Sequence, residues 1–299
     1  MPLREALQAA IARLTTEHVP SPRLNAETLL MFTLNCDRAH LYAHPERELT
    51  AEEQSRYEEA LTQRAKGVPA QYITGHQEFW GLDLIVSPAV LIPRPETEHL
   101  VEAVLPLARS MKAPKIADVG TGSGAIALAL AKELQNAEIH ATDNSPAALE
   151  IAEANAARLQ LEFRASNLHP PGRRIFFHDT DLLRGLDSGA FDFVVSNPPY
   201  VGLAEEDEVQ LEVRKFEPRN AVFAGPTGIE VIERLIPAAR QALKPGGYLV
   251  MEMSGTIAER VRTLLAGWED ITISNDLQGI PRVASARKTL VNPVPRRNP

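Results

Sequence analysis

The chain has little cysteine and no long apolar run. Its 299 residues include one cysteine, Cys36, which excludes an intrachain disulfide framework and a metal site built from several cysteines. No stretch of about 18 apolar residues occurs, so the sequence predicts no transmembrane helix. Glu5 and Arg13 interrupt the apolar residues at the start, and no signal peptide is predicted there. We therefore expect a protein of the reducing cytoplasm.

An excess of basic charge is also missing. The chain has 31 Lys and Arg against 39 Asp and Glu, for a net charge of -8. This balance argues against tight, salt-driven nucleic-acid binding and favours a small-molecule or protein substrate. The hydrophobic fraction of 44% and the charged fraction of 23% are typical of globular proteins. At roughly 150 residues per domain, the length suggests two domains.

Residues 1–75 are predicted to form a small helical domain. Apolar side chains recur at helical spacing, and we expect them to face one core. They are Leu3, Leu7, Ile11, Leu14, Leu24, Leu29, Leu30 and Phe32. Ser21-Pro22 predicts a helix start, with Ser21 as the cap residue. Thr50 and Glu53 predict a capping box at the start of a helix that ends near Gly67.

After a predicted hairpin or linker at 76–93 around Gly81, strands and helices alternate over 94–290. The predicted strands are 115–119, 138–142, 174–177, 191–196 and 248–253, and the predicted helices are 125–134, 146–159 and 229–243. This alternation predicts an α/β fold with a doubly wound, mostly parallel sheet. Residues 271–274 and 283–288 are expected to pair antiparallel at an edge. The tail, 291–299, is predicted to be disordered.

A glycine-rich loop, Gly120-Thr121-Gly122-Ser123-Gly124, stands where the first of these strands becomes a helix. Glycines let the backbone turn sharply and approach a ligand, and a helix N-terminus offers free N–H groups. Asp143 ends the next strand, where an acid can accept both ribose hydroxyls. The pattern predicts a nucleotide-like ligand. It leaves NAD and S-adenosylmethionine as alternatives, because the loop also satisfies the relaxed dinucleotide pattern.

Asp181 and Leu182 follow the third predicted strand. An adenine offers an amino donor and a ring-nitrogen acceptor, which the Asp181 carboxylate and the Leu182 N–H could bind. An exposed turn aspartate is the equal alternative.

The tetrapeptide Asn197-Pro198-Pro199-Tyr200 ends the fourth predicted strand, at the sheet edge where ligands bind in open α/β sheets. Two prolines make this turn rigid. The Asn197 amide oxygen and the Pro198 carbonyl can each accept one proton of a planar –NH₂ group, and Tyr200 offers a flat face for stacking. Such contacts orient an otherwise weak amide nucleophile.

The loop Gly120–Gly124, Asp143 and Asn197–Tyr200 together resemble a class I S-adenosylmethionine-dependent methyltransferase that acts on nitrogen. The tetrapeptide alone is shared with adenine-N6 DNA and RNA methyltransferases. Further stretches resemble the release factor glutamine methyltransferases. These are Gly67–Gly75, Glu78-Phe79, Leu91–Glu98, Phe216–Pro218 and Gly279–Val283.

This resemblance implies methyl transfer from S-adenosyl-L-methionine to the side-chain amide nitrogen, N5, of the glutamine in the Gly-Gly-Gln motif of class I peptide-chain release factors. It implies that 1–75 docks the release factor and that 94–290 catalyses, with no membrane or nucleic-acid partner. The predicted cofactor-binding residues are Gly120, Thr121, Gly122, Ser123, Gly124, Asp143, Asp181, Leu182 and Asn197. Asn197, Pro198, Pro199 and Tyr200 are assigned to the substrate, with Asn197, Pro198 and Tyr200 catalytic. Leu182 replaces an aromatic residue common in the family.

The stretch Pro93–Glu98 has two compatible interpretations. It can start a helix, with Thr97 as the cap and acidic residues in the first turn. It can also form a wall of the cofactor site. Three alternative functions remain open here: an adenine-N6 nucleic-acid methyltransferase, an NAD-dependent oxidoreductase and a catalytically silent binding module. The charge and the Pro93–Glu98 stretch weigh against the first, and the tetrapeptide weighs against the other two.

Overall fold

The computed structural model describes residues 1–161 and 174–290, which form two compact units. The first unit comprises Met1–His76 and Gln210–Phe216, and the second comprises Gln77–Val209 and the chain from Glu217 onward. The tail at 291–299, for which disorder is predicted, lies outside the described residues.

The first unit is helical, as predicted. Its helices before His76 are α1 (Leu3–Thr16), α2 (Pro22–Leu34), α3 (Arg38–Ala43), α4 (Ala51–Ala65) and α5 (Ala70–Thr74). The predicted capping box is confirmed, since the Thr50 hydroxyl accepts from the Glu53 N–H at 3.2 Å and Glu53 Oε2 accepts from the Thr50 N–H at 2.9 Å. Helix α4 ends at Ala65, and Gly67 follows with φ +90°.

Two expectations about α2 are wrong. Leu24 and Phe32 are 53% and 49% exposed, whereas Leu29 and Leu30 are fully buried. At 100° per residue, Leu24 and Phe32 project from the side of α2 opposite to its buried residues. Ser21 precedes the helix but does not cap it through its side chain, because its backbone is left-handed with φ 48°. The spacing of apolar residues thus predicted the helix, but it did not show which of those residues are buried.

The predicted hairpin is confirmed by β1 (His76–Phe79) and β2 (Leu82–Ile85). Trp80 and Gly81 form its two-residue turn with φ 55° and φ 63°. Positive φ at both positions matches the right-handed twist of the strands.

The remaining elements alternate as predicted. In chain order they are α6 (Glu98–Ala108), β3 (Lys115–Val119), α7 (Ala125–Glu133), β4 (Glu138–Asp143), α8 (Pro146–Arg158), β5 (Ile175–Asp179), β6 (Phe191–Ser196), β7 (Val201–Gly202), α9 (Leu211–Phe216), α10 (Arg219–Val222), β8 (Phe223–Gly225), α11 (Glu230–Ala242), β9 (Leu243–Glu252), α12 (Ala258–Leu264), β10 (Glu269–Asn275) and β11 (Pro281–Arg287). Strand β9 begins at Leu243 and not at Tyr248, because Leu243 already pairs with Phe191 of β6.

Seven of these strands form one sheet in the order β10-β11-β9-β6-β3-β4-β5. Strands β5, β4, β3, β6 and β9 are parallel neighbours, and β11 and β10 extend the edge antiparallel, as predicted. The chain runs from β3 outward to β5 and then returns to the other side of β3 at β6. This reversal creates a crevice at the carboxyl ends of the strands, where open α/β sheets bind ligands.

Apolar layers cover both faces of this sheet. One includes Leu100 of α6 and Leu128 of α7, and the other includes Ile232 and Leu235 of α11. The strand ends are thereby held rigidly, which fixes the loops that follow them.

Helix α9 belongs to the first unit although it follows β7 in the chain. Arg64, which is 3% exposed, holds it there by donating to Glu212 Oε1 at 2.5 Å. The same guanidinium donates to Asn25 Oδ1 at 2.7 Å and to the Val68 carbonyl at 3.2 Å. A buried arginine thus joins α2, the end of α4 and α9 within one unit.

Candidate functional site

A cleft of about 1120 Å³, open to solvent, lies at the carboxyl ends of β3, β4, β5 and β6. Most of the predicted site residues meet there. Those that line it are Gly120, Thr121, Gly122, Ser123, Asp143, Asp181, Leu182, Asn197, Pro198 and Pro199. Gly124 and Tyr200 do not line the cleft, although each is next in the chain to a residue that does.

The glycine loop is shaped by backbone conformation and by packing. Gly120 and Gly122 have φ 71° and φ 54°, and a Cβ on either would meet nothing within 4 Å. Glycine is needed at these two positions for the positive φ, which leaves the backbone open to a ligand. Gly124 also has a positive φ, 83°, and a Cβ there would in addition press on Leu128 and Ala152 at 3.2–3.3 Å. Gly124 therefore serves the close approach of α7 to α8.

Asp118, in strand β3 just before this loop, supports the loop and was not among the predicted site residues. It is fully buried, and its Oδ2 accepts from the Thr121 hydroxyl at 2.7 Å and from the Ala127 N–H at 3.1 Å. Among the described residues its Oδ1 has no hydrogen-bond partner. Burial raises the pKa of Asp118 to about 7. The sequence feature that could have identified Asp118 is an acidic residue near the end of an otherwise apolar strand.

Asp143 is held by the backbone around it. Its Oδ2 accepts from the Gly122 N–H at 2.9 Å, and its Oδ1 accepts from the Ser145 N–H at 3.0 Å. Burial raises the pKa of Asp143, while bonds from the backbone amides of Gly122, Ser145 and Asn144 oppose the rise. A carboxylate has about four acceptor positions. Asp143 therefore retains capacity to accept from ligand hydroxyls in the cleft.

Asp181 forms an ion pair with Arg234, which also lines the cleft. Leu182 has φ 54°, and its N–H makes no hydrogen bond within the part of the chain that the structure describes. The pairing with Arg234 occupies part of the Asp181 carboxylate, whereas the Leu182 N–H stays available as a donor. The adenine-binding role of this pair stays a prediction.

Asn197 is oriented by Thr97. Its Nδ2 donates to the Thr97 hydroxyl at 3.1 Å, while its Oδ1 has no protein partner among the described residues. Thr97 is 4% exposed and does not cap α6 through its side chain, so the predicted capping role is wrong. The reason is that Pro95–Thr97 forms a 3₁₀ turn, which places the Thr97 backbone in the helical region.

Tyr200 contacts a buried acid. Its hydroxyl donates to Glu252 Oε1 at 2.9 Å, and Glu252 is 1% exposed. Burial raises the pKa of both groups. The Tyr200 ring packs against the apolar layer that includes Ile232. Its predicted role as a stacking face for the substrate stays a prediction.

The predicted wall at Pro93–Glu98 contributes Pro93, Arg94 and Thr97 to the cleft. Arg94 forms an ion pair with Glu217, a buried carboxylate that also accepts from the Ile92 N–H at 3.1 Å. Glu217 thereby fixes this wall to the segment that precedes α10. The sequence analysis singled out both stretches but did not predict that they pair.

The donors and acceptors of the cleft fit S-adenosylmethionine. The free Leu182 N–H suits an adenine nitrogen, the remaining acceptor positions of Asp143 suit ribose hydroxyls, and the open loop at Gly120 and Gly122 admits a polar chain. Over residues 1–161 and 174–290, no cluster of three or more His, Cys, Asp or Glu is arranged to hold a metal ion. Over the same ranges, no helix has the length and apolar character needed to span a membrane.

Comparisons with known proteins give two domain matches. Residues 5–75 match the profile described as PrmC N-terminal domain, and residues 97–214 match that described as Methyltransferase small domain. A release factor glutamine methyltransferase of Koribacter versatilis is 53% identical over 291 residues, covering 96% of this chain and 99% of the relative. One of Moorella thermoacetica is 43% identical, covering 88% of this chain and 89% of the relative.

Among solved structures, the hMettl16 catalytic domain in complex with MAT2A 3'UTR hairpin 6 matches with a TM-score of 0.54. It is 17% identical and covers 81% of this chain and 83% of that chain. At this identity the likeness concerns the fold alone, which is that of the S-adenosylmethionine-dependent methyltransferases.

Proposed function

Because this chain belongs to the release factor glutamine methyltransferase family, we propose that it transfers a methyl group from S-adenosyl-L-methionine to a glutamine side chain of a class I peptide-chain release factor. The acceptor is the N5 nitrogen of the glutamine in the Gly-Gly-Gln motif. One observation of the site supports this most directly. The Asn197 amide is fixed by its nitrogen, and its oxygen has no protein partner at the cleft.

The residues around the cleft have separate roles toward the cofactor. S-adenosylmethionine supplies an electrophilic methyl group on a sulfonium. Asp143 accepts from the ribose hydroxyls, and the Leu182 N–H donates to the adenine. Asp181 divides its carboxylate between the adenine amino group and Arg234. Gly120 and Gly122 keep the floor of the cleft free of side chains.

The tetrapeptide prepares the amide nitrogen of the substrate. Asn197 Oδ1 accepts one proton of the –NH₂ group and the Pro198 carbonyl accepts the other. These two bonds fix the amide plane and increase electron density on a nitrogen whose lone pair is otherwise delocalised. Pro199 restricts the backbone of the turn, so the Pro198 carbonyl keeps its direction. As the new N–C bond forms, the methyl–sulfur bond of S-adenosylmethionine would break with its electron pair left on sulfur, and one amide proton would leave to water.

The helical first unit would dock the release factor. Its domain match is separate from that of the methyltransferase domain, and every predicted cofactor contact lies beyond residue 93. The second unit has its own cores on both faces of the sheet and holds all the residues that line the cleft. Recognition of the factor and binding of the cofactor are thereby assigned to different parts of the chain.

The test is incubation of the full-length chain with methyl-labelled S-adenosylmethionine, a purified class I release factor and duplex DNA. We expect label in the release factor, on the glutamine of the Gly-Gly-Gln motif by peptide mass analysis. A factor in which that glutamine is replaced by asparagine is the control and should stay unlabelled. Label in the DNA alone would favour the adenine-N6 alternative and overturn the proposal.

A further inference from the structure

Two buried polar groups, Thr97 and Glu252, contact the tetrapeptide, and the chemistry proposed above uses neither. Thr97 is 4% exposed and Glu252 is 1% exposed. Thr97 accepts from Asn197 Nδ2 at 3.1 Å, and Glu252 accepts from the Tyr200 hydroxyl at 2.9 Å. Burial raises the pKa of Glu252, and among the described residues its Oε2 has no hydrogen-bond partner. Each end of the tetrapeptide thus contacts a buried polar group, Asn197 through Thr97 and Tyr200 through Glu252.

The orientation of the Asn197 amide decides what it can do. A primary amide is an acceptor at one end and a donor at the other, so a half-turn about its last bond exchanges the two. Only the orientation with Oδ1 toward the cleft can accept from a substrate –NH₂ group. The reverse orientation would present N–H groups to N–H groups, which repel one another.

In the structure the Thr97 oxygen accepts from Asn197 Nδ2, and this contact requires the amide orientation that leaves Oδ1 for the substrate. Because these groups are buried, water does not substitute for a lost partner, and the preference is strong.

We propose that Thr97 is a positioning residue for methyl transfer: its hydroxyl oxygen accepts from Asn197 Nδ2 and so holds the Asn197 amide with its oxygen toward the substrate nitrogen. The inference rests on the proposed function, because it assigns to Thr97 the orientation of an acceptor that acts on the glutamine amide. Thr97 does not touch the reacting atoms in this role. It acts through Asn197.

The experiment compares Thr97→Val, Thr97→Ala and Thr97→Ser in the full-length enzyme. Valine keeps the shape of threonine without the hydroxyl, alanine is a second hydroxyl-free variant, and serine restores the hydroxyl. The matched control is Thr33→Val, the same change at a buried residue of α2 whose hydroxyl donates to the Leu29 carbonyl at 2.8 Å. The single-turnover methylation rate and the affinity for S-adenosylmethionine are measured for each variant, and thermal melting checks folding.

We expect Thr97→Val and Thr97→Ala to slow single turnover by about 10- to 100-fold, because the amide loses its productive orientation. Cofactor affinity should change by less than about threefold, and Thr97→Ser and Thr33→Val should turn over near the wild-type rate. In an Asn197→Ala background, Thr97→Val should cause little further loss, since two residues that act as a unit are not additive.

Three results would overturn the inference: a Thr97→Val rate close to wild type, a serine variant as slow as the valine variant, or full additivity with Asn197→Ala. The failure of the proposed function looks different. In that case the wild-type enzyme itself would leave the release factor unmethylated.

Discussion

The backbone N–H of Gly122 donates a 2.9 Å hydrogen bond to Oδ2 of Asp143. This bond joins the glycine loop after β3 to the acid at the end of β4. The same carboxylate bonds the Ser145 N–H at the start of α8. Asp143 therefore shapes the glycine loop, and its remaining acceptor positions are those that we assign to the cofactor.

Asp143→Ala should weaken S-adenosylmethionine binding by about 1.5–3 kcal/mol, because a charged acceptor of the ribose hydroxyls is lost. Isothermal titration calorimetry measures this directly. Asp179→Ala is the matched control. Asp179 lies opposite Asp143 in the β4–β5 register, but its side chain is exposed and does not line the cleft. Equal affinities for the two variants would remove Asp143 from cofactor binding.

Asn197→Ala should lower the single-turnover rate by roughly 10²–10³, because one of two acceptors for the substrate –NH₂ group is lost. Cofactor affinity should fall much less, since the glycine loop and Asp143 stay in place. Asn197→Asp should keep partial activity, because a carboxylate still accepts a hydrogen bond. It loses the donor to Thr97, however, so its rate should lie between those of wild type and alanine.

Rapid-quench methylation with saturating cofactor separates these two variants. An alanine variant with near-normal turnover would exclude Asn197 from the mechanism. An aspartate variant as slow as the alanine variant would show that acceptance alone is not its role.

Asp118 should make the stability of the cofactor-free protein depend on pH. Burial raises its pKa from 3.8 to about 7, so between these values the folded state binds more protons than the unfolded state. Stability should therefore fall as pH rises through this window, and burial of Asp143 acts in the same direction. Asp118→Asn cannot ionise, so its unfolding free energy should vary less between about pH 4 and about pH 7. Urea unfolding across this range measures the slope, and equal slopes for both proteins would contradict the prediction.

Arg64→Met should destabilise the first unit by about 3 kcal/mol, because it removes the partner of Glu212 and the donor to Asn25 from a buried position. Arg4→Met is the matched control, since Arg4 pairs with Glu46 at the surface with both side chains more than half exposed. That change should cost less than about 1 kcal/mol. Chemical denaturation followed by circular dichroism compares them, and a similar loss in both would mean that burial of Arg64 adds nothing.

The sequence predicted the strands and helices of the sheet because each has a strong local pattern. Strands β3 and β6 occur where predicted, since apolar runs of this length between turn residues fit buried parallel strands. The capping box at Thr50 was predictable because both partners lie within one turn. Leu24 and Phe32 were not correctly placed, because an apolar side chain on a helix does not reveal whether another element covers it.

The polar contacts around the site could not be predicted from any local sequence pattern. Thr97 and Asn197 are 100 residues apart in the chain, and Tyr200 and Glu252 are 52 apart. No local pattern distinguishes Thr97 from a capping residue or Glu252 from any acid after a strand. These pairs form only once the sheet brings the ends of β6 and β9 together and the Pro95–Thr97 turn lies beside them.

The sequence by itself indicated a nucleotide-like ligand and, through the family resemblance, S-adenosylmethionine with a set of predicted site residues. Positive φ at Gly120 and Gly122, an acid after the second strand and a rigid Asn-Pro-Pro-Tyr turn are requirements that residue types meet locally. The tertiary structure decided orientation: which end of the Asn197 amide faces the cleft, which carboxylates are buried, and which later segment joins the first unit. Orientation depends on hydrogen bonds between groups far apart in the chain. Burial strengthens those bonds, and the groups become buried only when the protein folds.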